Sequence, residues 1–296
     1  MICKNLFEGP YGYAELIINK DDSIYHLGIR ENEVADNVIV VGDPERVESI
    51  SARCDQVFSK QQSREFAVHQ ARLGQKDLTV LSTGIGVDNI DIVMNELDAC
   101  ANIDFKTKMA KKVRRSLNII RIGTSGAVRK DIALGSFVAS KAAIGIDGVP
   151  YHYNATMSEE EEILLANFKS EMDWQAPLPA VYVATCSSSL LAKIAVDMVQ
   201  GITFTANGFY GPQGRNLRLT RRKPDLLNNL RKVELGKYHL TNLEMECAGL
   251  YSLGGMLGHQ MLTCCAILAN RYDNSFVDNP QKPISALIDE VLARLT

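Results

Sequence analysis

Asn118-Ile119-Ile120-Arg121-Ile122-Gly123-Thr124-Ser125-Gly126 is a short β-branched run that ends in glycines and hydroxyls, with one arginine set inside it. β-Branched residues suit the pleated surface of a buried strand, and the small polar residues after them close it. Asn37 to Val41 follows the same grammar and runs into Gly42-Asp43-Pro44-Glu45-Arg46. Proline fits the first helical turn and Asp43 can cap it, so a helix is expected over residues 45–52. Phe66 to Leu73 and Leu78 to Ser82 read as strands paired around Gly74-Gln75-Lys76. Further strands are expected at 181–184, 202–205 and 261–268. Ile90, Val93, Met94, Leu97 and Ala101 recur at helical spacing behind Asp88 and Asn89 as caps. Ser158-x-x-Glu161 is a capping box that opens a helix over 159–172. Helices are also expected over 190–199, 243–257 and 284–295. Strands interleaved with helices argue for an α/β fold with a mostly parallel sheet covered on both faces. No Pro- or Ser-rich linker, internal repeat or compositional break divides the chain, so it reads as one domain.

The composition excludes several classes. The chain has 296 residues, 46% hydrophobic and 23% charged, ordinary proportions for a globular protein and not for a collagen or a disordered tail. That length buries a core without a disulfide or metal staple. Thirty-five acidic against 32 basic residues leave a formal charge of −3, so no global field favours nucleic acid or an acidic membrane. A basic cluster, Lys106 to Arg115, reads as a solvated loop or helix face. Seven scattered cysteines form no CxxC and read as reduced thiols. The residues from Met1 to Glu8 lack the apolar core of a signal peptide, and the longest apolar run, Met261 to Ala269, is shorter than the roughly 20 residues a bilayer requires. The expectation is a cytoplasmic protein with neither nucleic acid nor membrane as partner.

Common catalytic signatures are missing: there is no GxxxxGK[ST], HExxH or GxSxG. Thr83-Gly84-Ile85-Gly86 carries two dinucleotide-type glycines, but Asn89 stands where the third belongs. The five histidines are isolated, and each alone reads as a surface or structural residue. Polar residues at strand ends remain, where open α/β sheets bind ligands. Gly42 to Arg46 and Arg121 to Gly126 each combine close backbone approach with a forked cation. Singly, either is a tight turn beside a surface arginine; converging, they would cradle an oxyanion or phosphate. Thr205 to Arg215 offers an aromatic face at Phe209, then Gln213 and Arg215, which suit a pyrimidine edge, although a plain glycine-rich loop has the same composition. Glu244-Met245-Glu246 precedes an apolar helix. A carboxylate there either accepts hydrogen bonds from vicinal hydroxyls or complements the helix dipole.

Taken in order, Tyr25-His26-Leu27-Gly28, Gly42-Asp43-Pro44-Glu45-Arg46, Ser63-Arg64-Glu65-Phe66, Ser82-Thr83-Gly84-Ile85-Gly86, Ile120 to Gly126, Phe209-Tyr210, Gln213-x-Arg215, Glu244-Met245-Glu246 and Asn270-Arg271 resemble the uridine phosphorylases of the hexameric nucleoside phosphorylase family. Each motif is modest, but the ordered set from residue 25 to 271 is specific. The resemblance implies a single-domain α/β nucleoside-phosphorylase-like fold with a central mixed β-sheet flanked by helices. Residues 25–296 would form that domain, and residues 1–24 an N-terminal extension.

By the same resemblance, phosphate meets Gly42, Arg46, Arg121 and Thr124, with Arg64 supplied by a neighbouring subunit. Ribose meets Met245 and Glu246, and the neighbour's His26. Base contacts fall on Ser125, Gly126, Phe209, Gln213, Arg215 and Glu244, and Arg46, Arg121 and Glu246 carry catalysis. The implied reaction is reversible phosphorolysis of uridine, with deoxyuridine as a further substrate, in pyrimidine salvage. Inorganic phosphate is the co-substrate and no cofactor is required. Self-association as a homodimer or a homohexamer built as a trimer of dimers follows. A purine nucleoside phosphorylase or nucleosidase of the same fold is the alternative, and a non-catalytic nucleoside-binding protein a remoter one. Purine-type relatives carry an Asp after the late strand, where this chain reads Ala269-Asn270-Arg271. The sequence departs from the family at Val87-Asp88-Asn89, where a serine usually helps bind a monovalent cation. A K+ site near Glu65, Ile85 and Asn89 is therefore only a candidate. Gly211-Pro212 reverses the usual order before Gln213, and Lys106 to Arg115 reads as an insertion.

Overall fold

β1 (Asn37–Val41) lies between two parallel neighbours, β4 (Lys76–Ser82) and β5 (Asn118–Ala127). A strand paired on both edges and covered on both faces has no solvent side, which is why Val38 to Val41 form an unbroken apolar run and are all buried. The computed structural model describes residues 1–3 and 5–295; Lys4 and Thr296 lie outside the described residues. β2 (Gln56–Ser63) and β3 (Phe66–Leu73) extend the sheet beyond β4 by antiparallel pairing. On the other side, β10 (Gln260–Asn270) runs parallel to β5 and antiparallel to β6 (Phe137–Gly145). β8 (Val199–Thr205) runs parallel to β6 and to β9 (Tyr238–Glu244), while β7 (Tyr182–Thr185) pairs antiparallel with β6. The order across the sheet is β9–β8–β6–β10–β5–β1–β4–β3–β2.

β9 also turns back onto β5, placing Asn242 opposite Ala127 and Leu243 opposite Gly126. That pairing closes β5, β10, β6, β8 and β9 into a barrel. The sheet is mixed, as the family resemblance implied, and less parallel than the strand–helix alternation alone suggested. The difference comes from three strands without a clear local signal. β2 is polar and largely exposed at the sheet edge, β6 is alanine-rich, and β9 leads directly into an apolar helix.

The helices cover both faces. α1 (Pro44–Ser51) starts as expected, with the Asp43 carboxylate accepting the Glu45 N–H at 3.0 Å. α2 (Val87–Asn102) starts after Gly86, whose φ of 97° favours glycine, so Asp88 and Asn89 lie inside the helix instead of capping it. α3 (Glu159–Met172) carries the expected capping box. α4 (Ser188–Ile194) stops short of residue 199 because β8 begins there. α5 (Leu226–Leu230) is a single short turn. α6 (Cys247–Leu257) begins four residues later than expected, since 243 and 244 end β9. α7 (Gln281–Leu295) closes the chain's helical set. Leu97 of α2 and Leu250 of α6 pack on one face of the sheet; Val47 of α1, Leu191 of α4 and Leu287 of α7 pack on the other.

Leu16 and Ile24, near the start of the chain, pack into the core that also holds Leu97 and Leu250. The basic cluster is part of a small hairpin, Ile103–Asp104 against Met109–Ala110. Three of its six cations meet acids nearby: Lys111 with Glu31, Arg114 with Glu8 and Arg115 with Asp36.

Candidate active site

Arg121 stands in the middle of β5 and is only 5% exposed. Its guanidinium folds along its own strand over Gly123, where an added Cβ would lie 2.0 Å from Nη1, so a side chain there would push the cation aside. The β5–β9 closure brings two carboxylates to it. Nη2 donates to Glu246 Oε2, and Nη1 lies 3.3 Å from Glu244 Oε2 and 3.3 Å from Cys265 Sγ on β10. Burial favours the neutral guanidine, but the charges of Glu246 and Glu244 outweigh it and raise the Arg121 pKa, so this group remains a cation.

The two carboxylates differ in what they have left to offer. Glu244 Oε1 accepts the Thr205 hydroxyl at 2.6 Å, and Oε2 accepts the N–H groups of Glu246 and Cys247 at 2.8 and 2.9 Å. It therefore satisfies the open start of α6, which is what a carboxylate does best beside free helix N–H groups. Glu246 Oε1 accepts the Gly86 N–H at 2.7 Å, and Oε2 faces Arg121. Each of its oxygens has room for a further donor.

Arg46 reaches in from the first turn of α1, donating from Nη1 to the Ile122 carbonyl at 3.3 Å. Burial, and then the charge of Arg121, lower its pKa. Two cations that disfavour one another beside a Gly42 turn make a site that gains from an anion. At the far end, Gln213 is buried in a short 3-10 turn, Gly211–Gln213. Its Oε1 accepts from Arg215 Nη1 at 2.6 Å, and its Nε2 lies 3.4 Å from the Glu244 carbonyl. The Arg215 guanidinium sits over the Phe209 ring, 3.8 Å from its centroid. Burial and the charge of Arg271 bring the Arg215 pKa down to about 10. Ser125 Oγ is 2.8 Å from Asn242 Nδ2 across the barrel seam.

These groups line one cavity of about 580 Å³. It gathers Gly42, Arg46, Arg121, Thr124, Ser125, Gly126, Phe209, Gln213, Arg215, Glu244, Met245 and Glu246 from the sequence-derived set. Exposed Ile85 lies at its edge, and Leu243, Leu268 and Phe276 add apolar wall. His26 and Arg64 lie outside it. The His26 ring is 2.6 Å from Glu96, and Arg64 is exposed with its guanidinium 5.5 Å from the Tyr25 ring centroid. Tyr25 in turn meets the His26 ring edge-on at 4.7 Å, so the two residues share one patch. Glu65 and Asn89 also lie apart from the cavity and bond each other at 3.2 Å. Among the described residues no group of three or more His, Cys, Asp or Glu could hold a metal ion.

Sequence reasoning missed the supporting residues. Arg271, at the end of β10, donates to the carbonyls of Gln213 and Gly214 at 3.1 and 3.3 Å. Its only sequence signal was membership of the Asn270-Arg271 pair. Asn242 had none, and Thr205 and Gly86, though inside quoted segments, gave no sign of their bonds to Glu244 and Glu246, which lie far away in the chain.

The phosphorylase superfamily model matches residues 36–293. The uridine phosphorylase of Thermococcus kodakarensis is 28% identical over 268 residues, covering 90% of this chain and 85% of the relative. The uridine phosphorylase of Escherichia coli is 28% identical over 86% of this chain and 88% of its own length. The crystal structure of a Trypanosoma brucei nucleoside phosphorylase, described as showing uridine phosphorylase activity, matches with a TM-score of 0.87 at 26% identity. That match covers 95% of this chain and 99% of the other.

Proposed function

We propose that this chain, which belongs to the phosphorylase superfamily, catalyses the reversible phosphorolysis of uridine, and of deoxyuridine, to uracil and the pentose 1-phosphate in pyrimidine salvage. The observation that carries the reading is the order of groups along one cavity. Arg46 and Arg121 come first, Arg121 bonds Glu246, the Glu244 main chain adjoins Gln213, and Gln213 bonds Arg215. That series matches a ligand with an anion, a diol and a planar amide edge in the same sequence.

Phosphate would lie against Arg46, Arg121, Thr124 and the Gly42 turn. Its oxygen forms a bond to the anomeric carbon while the C1′–N1 bond breaks through an oxocarbenium-like state. The bonding pair leaves with uracil, which takes up a proton later. Holding nucleophile and nucleoside together can contribute on the order of 7–11 kcal/mol at the upper end. Glu246 accepts the ribose hydroxyls beside Met245. Gln213 and Arg215 stabilise negative charge on the departing base, over the Phe209 ring. Ser125 and Gly126 border the base. No acid–base pair of the glycosidase kind is needed.

The shared His26–Tyr25–Arg64 patch supports a homodimer, or a homohexamer as a trimer of dimers, in which His26 and Arg64 complete a neighbour's ribose and phosphate sites. A K+ ion belongs to the same reading, between subunits at Glu65, Ile85 and Asn89. Residues 25–296 are taken as the catalytic domain and 1–24 as an extension. A cytoplasmic location fits the free cysteines, and among the described residues no helix is long and apolar enough to cross a membrane.

The purine-type alternative is disfavoured by Asn270, whose amide donates to the carbonyls of Arg129 and Ile132, both at 2.9 Å, and so clamps a loop. The test is turnover of uridine, inosine and adenosine with and without phosphate. Uridine cleavage that requires phosphate is expected. Preferred inosine or adenosine cleavage would move the reading to the purine branch, and phosphate-independent cleavage to a nucleosidase.

A further inference from the structure

A second cavity, of about 690 Å³, lies on the outer side of the Gly211–Gln213 turn. That volume is in the range of a small-molecule site. Its walls include Trp174, Leu178, Leu217 and Leu226, so its body is apolar. Its rim is cationic: Arg215, Arg218, Arg221, Arg222 and Lys223 fall within nine residues of chain without an acid between them, in a protein whose net charge is −3. Three of these cations are already engaged, Arg215 through Gln213 and the Phe209 carbonyl. Arg221 bonds Asn216 and the Gly214 carbonyl, and Lys223 bonds the carbonyls of Met172 and Asp173. Arg218 and Arg222 make no hydrogen bond or ion pair with any described residue, and none of the described residues lining this cavity is acidic.

This charge pattern decides the occupant. A second copy docked by a two-fold axis would set this cationic loop against itself, and like charges juxtaposed across an interface oppose association. A neutral apolar ligand would leave Arg218 and Arg222 unused. We propose that the cavity binds an organic anion with an apolar body, the body against Trp174 and Leu226 and the anionic head between Arg218 and Arg222.

The position gives such a ligand a consequence. Arg215 lines both cavities, and the turn that separates them carries Gln213 on one side and Gly211 and Pro212 on the other. An occupant therefore bears on the turn that recognises the base, not on Arg46, Arg121 or Glu246. The effect on uridine rests on the proposed activity; binding itself does not.

Trp174 is the only tryptophan in the chain, so its emission reports on this cavity alone. The probe is 8-anilinonaphthalene-1-sulfonate, with N-phenyl-1-naphthylamine as the same body without the charge. The sulfonate is expected to quench Trp174 saturably, with saturating uridine and phosphate present as well as without them. Its affinity should fall about tenfold or more in R218A/R222A, and the uncharged body should bind about as weakly as the sulfonate does to that variant. In wild type the sulfonate should shift the uridine KM and leave the phosphate KM unchanged. Displacement by uridine with phosphate would assign the probe to the catalytic cavity and overturn the proposal. So would unchanged affinity in R218A/R222A, equal binding of both probes, or an unmoved Trp174 signal. A wild-type chain that excludes the probe and whose assembly dissociates in R218A/R222A would instead make this face an interface between copies.

Discussion

Arg121, Glu244 and Glu246 are set by β5, β9 and the start of α6, whereas Phe209, Gln213 and Arg215 ride on the loop between β8 and α5. In the first region the charged groups are buried and nearly every polar atom has a partner from a sheet strand or a helix start. In the second, the groups rest on one short turn tied down by two Arg271 bonds to main-chain carbonyls. The two regions are therefore constrained in different ways. Substitution at the anion and sugar end should cost folding stability along with activity. Substitution at the base end should change substrate choice while the fold stays intact.

The largest expected effect comes from Arg121→Met. It leaves Glu244 and Glu246 buried without their cation, so stability should fall by about 3–5 kcal/mol, read as a lower urea midpoint. Uridine kcat/KM should fall by about 10³-fold or more. Retention of activity within tenfold, in a stably folded variant, would break the division between the two regions. Glu246→Gln keeps the volume but removes the charge that accepts the ribose hydroxyls, and should lower uridine kcat/KM by about 10²-fold.

At the base end, Arg215→Ala should lower uridine kcat/KM by about 10- to 100-fold while phosphate KM and the thermal midpoint hold. An equal loss toward both substrates would show that the base loop is not a separate unit. Arg271→Ala is the gentlest change. Loss of two carbonyl bonds should raise uridine KM about five- to tenfold and leave phosphate KM alone.

The same contrast explains what could be read in advance. β1, β5, the Asp43 cap and the Ser158–Glu161 capping box are local signals, carried by residues within a few positions of each other, and the structure contains them all. β9 was hidden because Leu240 and Leu243 continue the apolar pattern of α6, and only pairing with β8 and β5 makes that stretch a strand. Barrel closure, which brings Glu244 to Arg121, has no local trace. The motif residues of the cavity were legible as types at strand ends. The partners that hold them (Thr205, Asn242, the Gly86 N–H and Arg271) were not, since each contact joins distant segments. Glu244 shows the limit most clearly: its oxygens hold Arg121, Thr205 and the start of α6, contacts that no neighbouring residue announces.

Phosphorolysis requires that a phosphate oxygen become bonded to the sugar as uracil leaves. Phosphorus-31 NMR of the wild-type protein with uridine and inorganic phosphate tests it most directly. A pentose 1-phosphate resonance is expected to grow in step with uracil, at the expense of inorganic phosphate. Uracil released with no new phosphate ester would contradict it.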